Sequence, residues 1–102
     1  MAKVMAMYGQ PADPAAFDRY YYSTHVPLAR TVPGLRKYEV TTGVVMTPTG
    51  ASPWYLVATL TFDSMAAIQA ALTSPEGQAT AADLGNFATG GVDLFIAETA
   101  TI

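Results

Sequence analysis

No cysteine occurs among the 102 residues, which excludes disulfide bridges, thiolate zinc sites, iron–sulfur clusters and a cysteine nucleophile. Charge is scarce as well: charged residues make up 13% of the chain, where an ordinary soluble domain carries roughly 25%. The five basic residues, Lys3, Arg19, Arg30, Arg36 and Lys37, form no run able to follow a phosphate backbone, and the formal net charge is -3, so nucleic acid is not an expected partner. Four of the five nevertheless fall between positions 19 and 37, a local basic zone diluted by Asp18 and Glu39. No stretch approaches the ~20 apolar residues of a membrane span, and the opening Met1-Ala2-Lys3-Val4 lacks the apolar core of a secretory signal. No membrane partner and a cytoplasmic location are therefore expected. There is one histidine, His25, too few for a usual zinc site, and no glycine-rich dinucleotide fingerprint, phosphate-binding loop or nucleophile elbow. The expectation is no metal and no cofactor, with any catalysis being acid–base chemistry by the chain's own groups. A lone histidine could still serve as a proximal haem ligand, so a haem-binding reading stays open.

Hydrophobic residues, by contrast, make up 51% of the chain. Its length suits one domain spanning 1–102. A domain this small has much surface per residue and needs polar covering, so an apolar composition points to surface buried against a partner, most simply a second copy.

Along the chain, Lys3 to Tyr8 reads as a short buried strand stopped by Gly9 and Pro11. Asp13-Pro14 supplies an N-cap acceptor followed by a proline at the first helical position, where its missing N–H costs nothing. Phe17, Tyr20, Tyr21, Thr24 and Leu28 then recur at helical spacing. Pro27 predicts that the helix ends near Ser23 to His25 or kinks there. After Pro33-Gly34, Leu35 to Met46 alternates as a long strand, and Thr47 to Pro53 reads as a turn. Trp54 to Phe62 is the clearest strand, with Trp54, Leu56, Ala58, Leu60 and Phe62 on one face and Tyr55, Val57, Thr59 and Thr61 on the other. A second helix starts at Asp63 or Ser64, breaks at Ser74-Pro75 and resumes to about Leu84, and Val92 to Thr99 forms a last strand. The order βαββαβ predicts an α+β, ferredoxin-like fold, with a four-stranded antiparallel sheet and both helices on one face. Its strands are apolar on both sides, so the uncovered face calls for a homodimer, with room for a small organic ligand.

Imidazole is the side chain best suited to acid–base work near neutral pH, which makes His25 the first candidate for chemistry. Asp18, Tyr22 and His25 lie at i, i+4 and i+7, and Tyr21 and His25 at i and i+4, so a carboxylate or phenol could hold one ring nitrogen. The run Tyr20-Tyr21-Tyr22 cannot bury all three rings on one helix face, which leaves at least one phenol accessible. Asp83 is an acid among apolar residues late in the second helix and Glu39 an acid in a strand, and either could orient a histidine.

The stretch FDRYYYSTHVPLARTVPGLRKYEV, Phe17 to Val40, resembles the EthD family, associated with degradation of ethyl tert-butyl ether. WYLVATLTFDS at Trp54 to Ser64 and SPEGQATAADLGNFATGG at Ser74 to Gly91 resemble it too. The resemblance implies a ferredoxin-like domain that pairs through its sheets into a dimeric α+β barrel. It also implies a pocket-facing His25 as the catalytic group, with Tyr21 and Asp83 beside it; Tyr20, Tyr22, Tyr55 and Phe87 are the expected substrate-binding residues. Proteins with this barrel include cofactor-free monooxygenases, isomerases and lyases. The name reductase, often given to this family, finds no nicotinamide or flavin signature in the chain. A non-catalytic binding or accessory role in a degradation pathway is the alternative.

Overall fold

Alternation along the strands builds the sheet. Ala2, Val4, Ala6 and Tyr8 of strand β1 (Ala2–Gly9) turn one way and Lys3, Met5 and Met7 the other. In the computed structural model, which describes residues 1–102, β1 pairs antiparallel with β5 (Trp54–Phe62) and with β6 (Val92–Glu98), placing Ala6 opposite Ala58 and Leu94. Strand β2 (Lys37–Val40) adds to the other side of β5, giving the order β2-β5-β1-β6, that of a ferredoxin-like sheet.

The helices lie on one face and begin where the sequence predicts. Asp13 accepts from the Ala16 amide at the start of α1 (Pro14–Tyr20), Ser64 from Ala67 at α3 (Met65–Thr73), and Ser74 from Gly77 at α4 (Pro75–Asp83). Two apolar clusters result. Ala6, Tyr8, Phe17, Tyr21, Leu56, Ala58 and Phe87 form one, and Ala2, Val32, Phe62, Ile68 and Ala71 the other.

Three local departures from the expected pattern shape the site. Pro27 does not end the first helix. The chain widens into a π turn over Tyr21–His25, closed by the Val26 amide on the Tyr21 carbonyl, and continues as α2 (Val26–Ala29). Every fourth residue of an α-helix advances about 40° round the axis. The wider turn winds part of that back, so Phe17, Tyr21, His25 and Ala29 are all buried while Thr24 is exposed.

The strand expected over Leu35 to Met46 contracts to β2. Thr41 accepts the Val57 amide through its hydroxyl instead of its carbonyl, Gly43 turns into the left-handed region at φ 73, and the ladder ends. The segment read as a plain turn over Thr47 to Pro53 begins instead with a small hairpin, β3 (Met46–Thr47) with β4 (Gly50–Ala51). Third, the register slips beside Tyr8 and Gly9, pairing them with Leu56 and Trp54 and leaving Tyr55 over. The bulge carries Tyr55 off the open face. Its ring meets Phe17 at 5.1 Å and its hydroxyl donates to Asp18, both on α1.

At the break between α3 and α4, Gly77 is buried with no room for a side chain, since a Cβ there would collide with the Ala71 carbonyl. Gly77→Ala should destabilise the fold by about 2 kcal/mol, read as a lowered midpoint in a denaturant melt; an unchanged midpoint would show that the two helices are free to part.

Candidate functional site

His25 sits in the π turn at the end of the first helical segment, and Asp83 ends α4. Packing of α2 against α4 brings these elements together across 58 residues of sequence. The His25 Nδ1 lies 2.9 Å from Asp83 Oδ2, with the two residues 3% and 7% exposed. Asp83 Oδ1 accepts from the Tyr20 hydroxyl at 2.5 Å and from Asn86 Nδ2 at 3.0 Å. The imidazole also packs on Phe87, with ring centres 4.7 Å apart, and lies beside Tyr21 at 5.5 Å.

Burial pushes the Asp83 carboxyl up, but the hydrogen bonds from Tyr20, Asn86 and His25 together outweigh it and hold the group below the usual carboxylate range. An ionised carboxylate only accepts, so the nitrogen facing it, Nδ1, carries the proton. In the neutral ring Nε2 then holds the free lone pair. Nε2 has no hydrogen-bond partner in the chain, yet no buried side-chain polar atom is left unpaired, so this nitrogen keeps some exposure, on a residue that lines a cavity.

That cavity, about 90 Å³, lies between sheet and helices. Ala6, Ala58, Leu60 and Phe62 form its sheet wall, and Ala29, Val32 and Leu84 lie on the helical side. Leu72 and Leu94, both well exposed, mark its outer rim. Its polar groups besides His25 include the phenols of Tyr8 and Tyr38. Burial raises the pKa of both phenols. They stay protonated at neutral pH, so the Tyr8 hydroxyl is a hydrogen-bond donor, and the Tyr38 hydroxyl is one when Tyr21 donates to it. Tyr38 also exchanges a hydrogen bond of 2.7 Å with Tyr21, whose phenol burial raises likewise.

Of the candidates from the sequence, the structure brings His25, Asp83, Tyr20, Tyr21 and Phe87 together. Tyr20 acts on Asp83 and Phe87 on the imidazole; neither lines the cavity. Tyr22, 48% exposed, and Tyr55, bonded to Asp18, stand apart from it. Glu39 is exposed beside Lys37 on β2. Sequence reasoning missed Asn86, although it follows Asp83 by three residues in a helical turn. It also missed Tyr38 and Tyr8, whose strand parity with Val40 and Ala6 turns them towards the helices.

Because the folded Asp83 has a lowered pKa, its contribution to stability is complete above the unfolded carboxyl value of about 3.9 and is lost as pH falls through the folded value. Asp83→Asn should cost about 2 kcal/mol at neutral pH, and the gap to the unaltered protein should close as pH falls below about 4. Denaturant melts across this range check it; a gap constant down to pH 2 would mean that the charge of Asp83 contributes nothing.

The EthD domain model matches residues 9–91 of the chain. An uncharacterised 11.0 kDa protein of the thcB-thcC intergenic region of Rhodococcus erythropolis is 42% identical over 103 residues, covering 100% of this chain and 98% of that protein. A crystal structure of an ethyl tert-butyl ether d (EthD) family protein from Bacillus halodurans superposes with a TM-score of 0.90 at 40% identity, over 98% of this chain and 99% of that one. A dimeric protein of unknown function and ferredoxin-like fold from Bacteroides fragilis shares the fold, with a TM-score of 0.62 at 18% identity, over 96% of this chain and 95% of that one. With its motif, fold and sequence all in agreement, the chain belongs to the EthD family.

Proposed function

We propose that the protein binds a small apolar or aromatic organic molecule between sheet and helices and transfers a proton within it, with His25 as the acid–base group and no cofactor. The observation that carries this reading is the His25–Asp83 hydrogen bond, which fixes the proton on Nδ1 and leaves Nε2 free on a residue that lines a mostly apolar cavity. When Nε2 takes a proton from substrate, the imidazolium is stabilised by the carboxylate already bonded to it, and the same nitrogen can return the proton elsewhere on the molecule. Tyr8 and Tyr38, as neutral donors in the same cavity wall, would bind an oxygen of the substrate on which negative charge develops. Tyr21 holds Tyr38, and Tyr20 and Asn86 hold Asp83; these are positioning residues. A cavity of about 90 Å³ is small beside the roughly 300 Å³ of ordinary ligand sites, which gives the haem reading no support and fits the reacting end of a small substrate.

The same reading makes the protein a homodimer. Met5 and Phe95 are directly opposed on the uncovered sheet face and are 37% and 50% exposed, with Met7 and Val57 on that face also. Exposed apolar side chains adjoining on one face are the mark of a surface covered by a partner. The solved relative from Bacteroides fragilis is described as dimeric, which supports the same assembly for this chain.

Because there is one histidine, its ring resonances report a single site. Titrating the protein with a panel of small aromatic and ether compounds should shift them for some members, and those members are the ones to assay for turnover. His25→Ala should lower that turnover by about 10²–10⁴-fold in a protein that still folds, with its melting midpoint lowered because Asp83 loses one of its donors. Full activity in the variant defeats the acid–base role, and saturable binding with no product after extended incubation makes the protein a carrier. Phe95→Asp should convert the dimer to monomer in sedimentation at micromolar concentration; a wild-type protein already monomeric there removes the dimer.

A further inference from the structure

Beside the site lies a second hollow that shares one wall with it. This groove, about 460 Å³, runs along the sheet edge between β2 and the helical segment that carries His25. Its apolar lining is Tyr22, Val26, Leu35, Tyr38 and Val40, and its remaining residues are Arg30, Arg36 and Lys37, with no acid among them. Three basic residues thus border one groove of a chain whose net charge is -3.

The three cations are not equivalent. Arg36 is held by Asp63, with its Nη2 at 2.8 Å and its Nε at 3.1 and 3.2 Å from the two carboxylate oxygens. Lys37 alternates with Tyr38 along β2, which turns it to the opposite sheet face, where it stands 3.7 Å from Glu39. Arg30 makes no ion pair, so its guanidinium is the charge in the groove that nothing balances, and its planar fork suits a carboxylate. Tyr38 is the one residue that lines both the groove and the cavity of His25. Val26 of the groove follows His25 in the chain, and Arg30 follows Ala29 of the cavity.

We infer that the groove is the acid-binding half of the site: the substrate is an amphipathic organic carboxylate whose acid group is held by Arg30, while its apolar part lies along Tyr22, Val26 and Leu35 towards Tyr38 and the His25 cavity. This rests on the reading of His25 as the reacting group and supplies what that reading lacks, since a cavity of about 90 Å³ holds about three waters' worth of volume and the adjoining groove is five times larger. Binding and turnover are separable, so the two readings fail separately: loss of the histidine should leave acid binding in place.

Octanoate and octanamide, alike in shape and different in charge, are the probes. Octanoate should bind saturably, shift the His25 ring signals and weaken as salt is raised, while octanamide binds at least about tenfold more weakly. Arg30→Gln should weaken octanoate about tenfold, and Arg19→Gln, which removes the same charge on α1 outside the groove, should leave it unchanged. His25→Ala should still bind octanoate. Equal binding of acid and amide, equal effects of the two arginine changes, or octanoate binding that leaves the His25 signals in place would each overturn the inference.

Discussion

Burying a carboxylate is costly unless every one of its lone pairs is answered, and the arrangement of the helices in this protein turns on how that requirement is met for Asp83. Its donors come from three places: Tyr20 at the end of α1, His25 in the π turn and Asn86 in the turn just past α4. A shift of either helical unit along the sheet would break at least one of these bonds and leave a nearly buried charge short of partners. The ion–dipole cluster therefore sets the register between the two helical units, which apolar contacts between alanine, phenylalanine and tyrosine side chains would specify only loosely. The same cluster sets the tautomer of the imidazole, so one constraint serves both packing and chemistry.

The two faces of the sheet are put to different uses. Towards the helices, Tyr8, Phe17, Tyr21 and Phe87 pack against one another at 5.3–5.7 Å, Phe17 and Tyr21 in parallel and the other pairs edge to face or tilted, making a floor under the histidine. The opposite face is apolar in its middle and carries Lys37, Glu39 and Asp93 towards the outer strands. Such a surface is suited to a partner whose centre is dry and whose rim is wet.

Much of the fold was legible because its signals are local. Caps at Asp13, Ser64 and Ser74, prolines at the first helical position and the alternation of β1 and β5 depend on neighbours a few residues away. The departures came from interactions that alternation does not encode. Thr41 spends its hydroxyl on the Val57 amide and cuts short a strand whose hydrophobic pattern continues to Met46. A single extra residue at the β5 bulge redirects Tyr55 from the open face to α1. In the site, His25 stood out as the sole histidine and Asp83 as an acid among apolar residues late in the second helix. Tyr38 and Asn86 carried no such mark, since a strand tyrosine and a turn asparagine are commonplace until the fold sets one against Tyr21 and the other against Asp83.

The π turn at Tyr21–His25 amounts to one residue more than a regular helix needs. Removing a single residue from it would restore an unbroken ladder and a better helix in isolation, while rotating everything before the turn by about 100° relative to everything after it. Phe17 and Tyr20 would then leave the faces on which Phe87 and Asp83 wait for them. In this segment the length of the chain is as tightly constrained as its composition, and a variant gaining helix stability by shortening it would forfeit the buried carboxylate's partners.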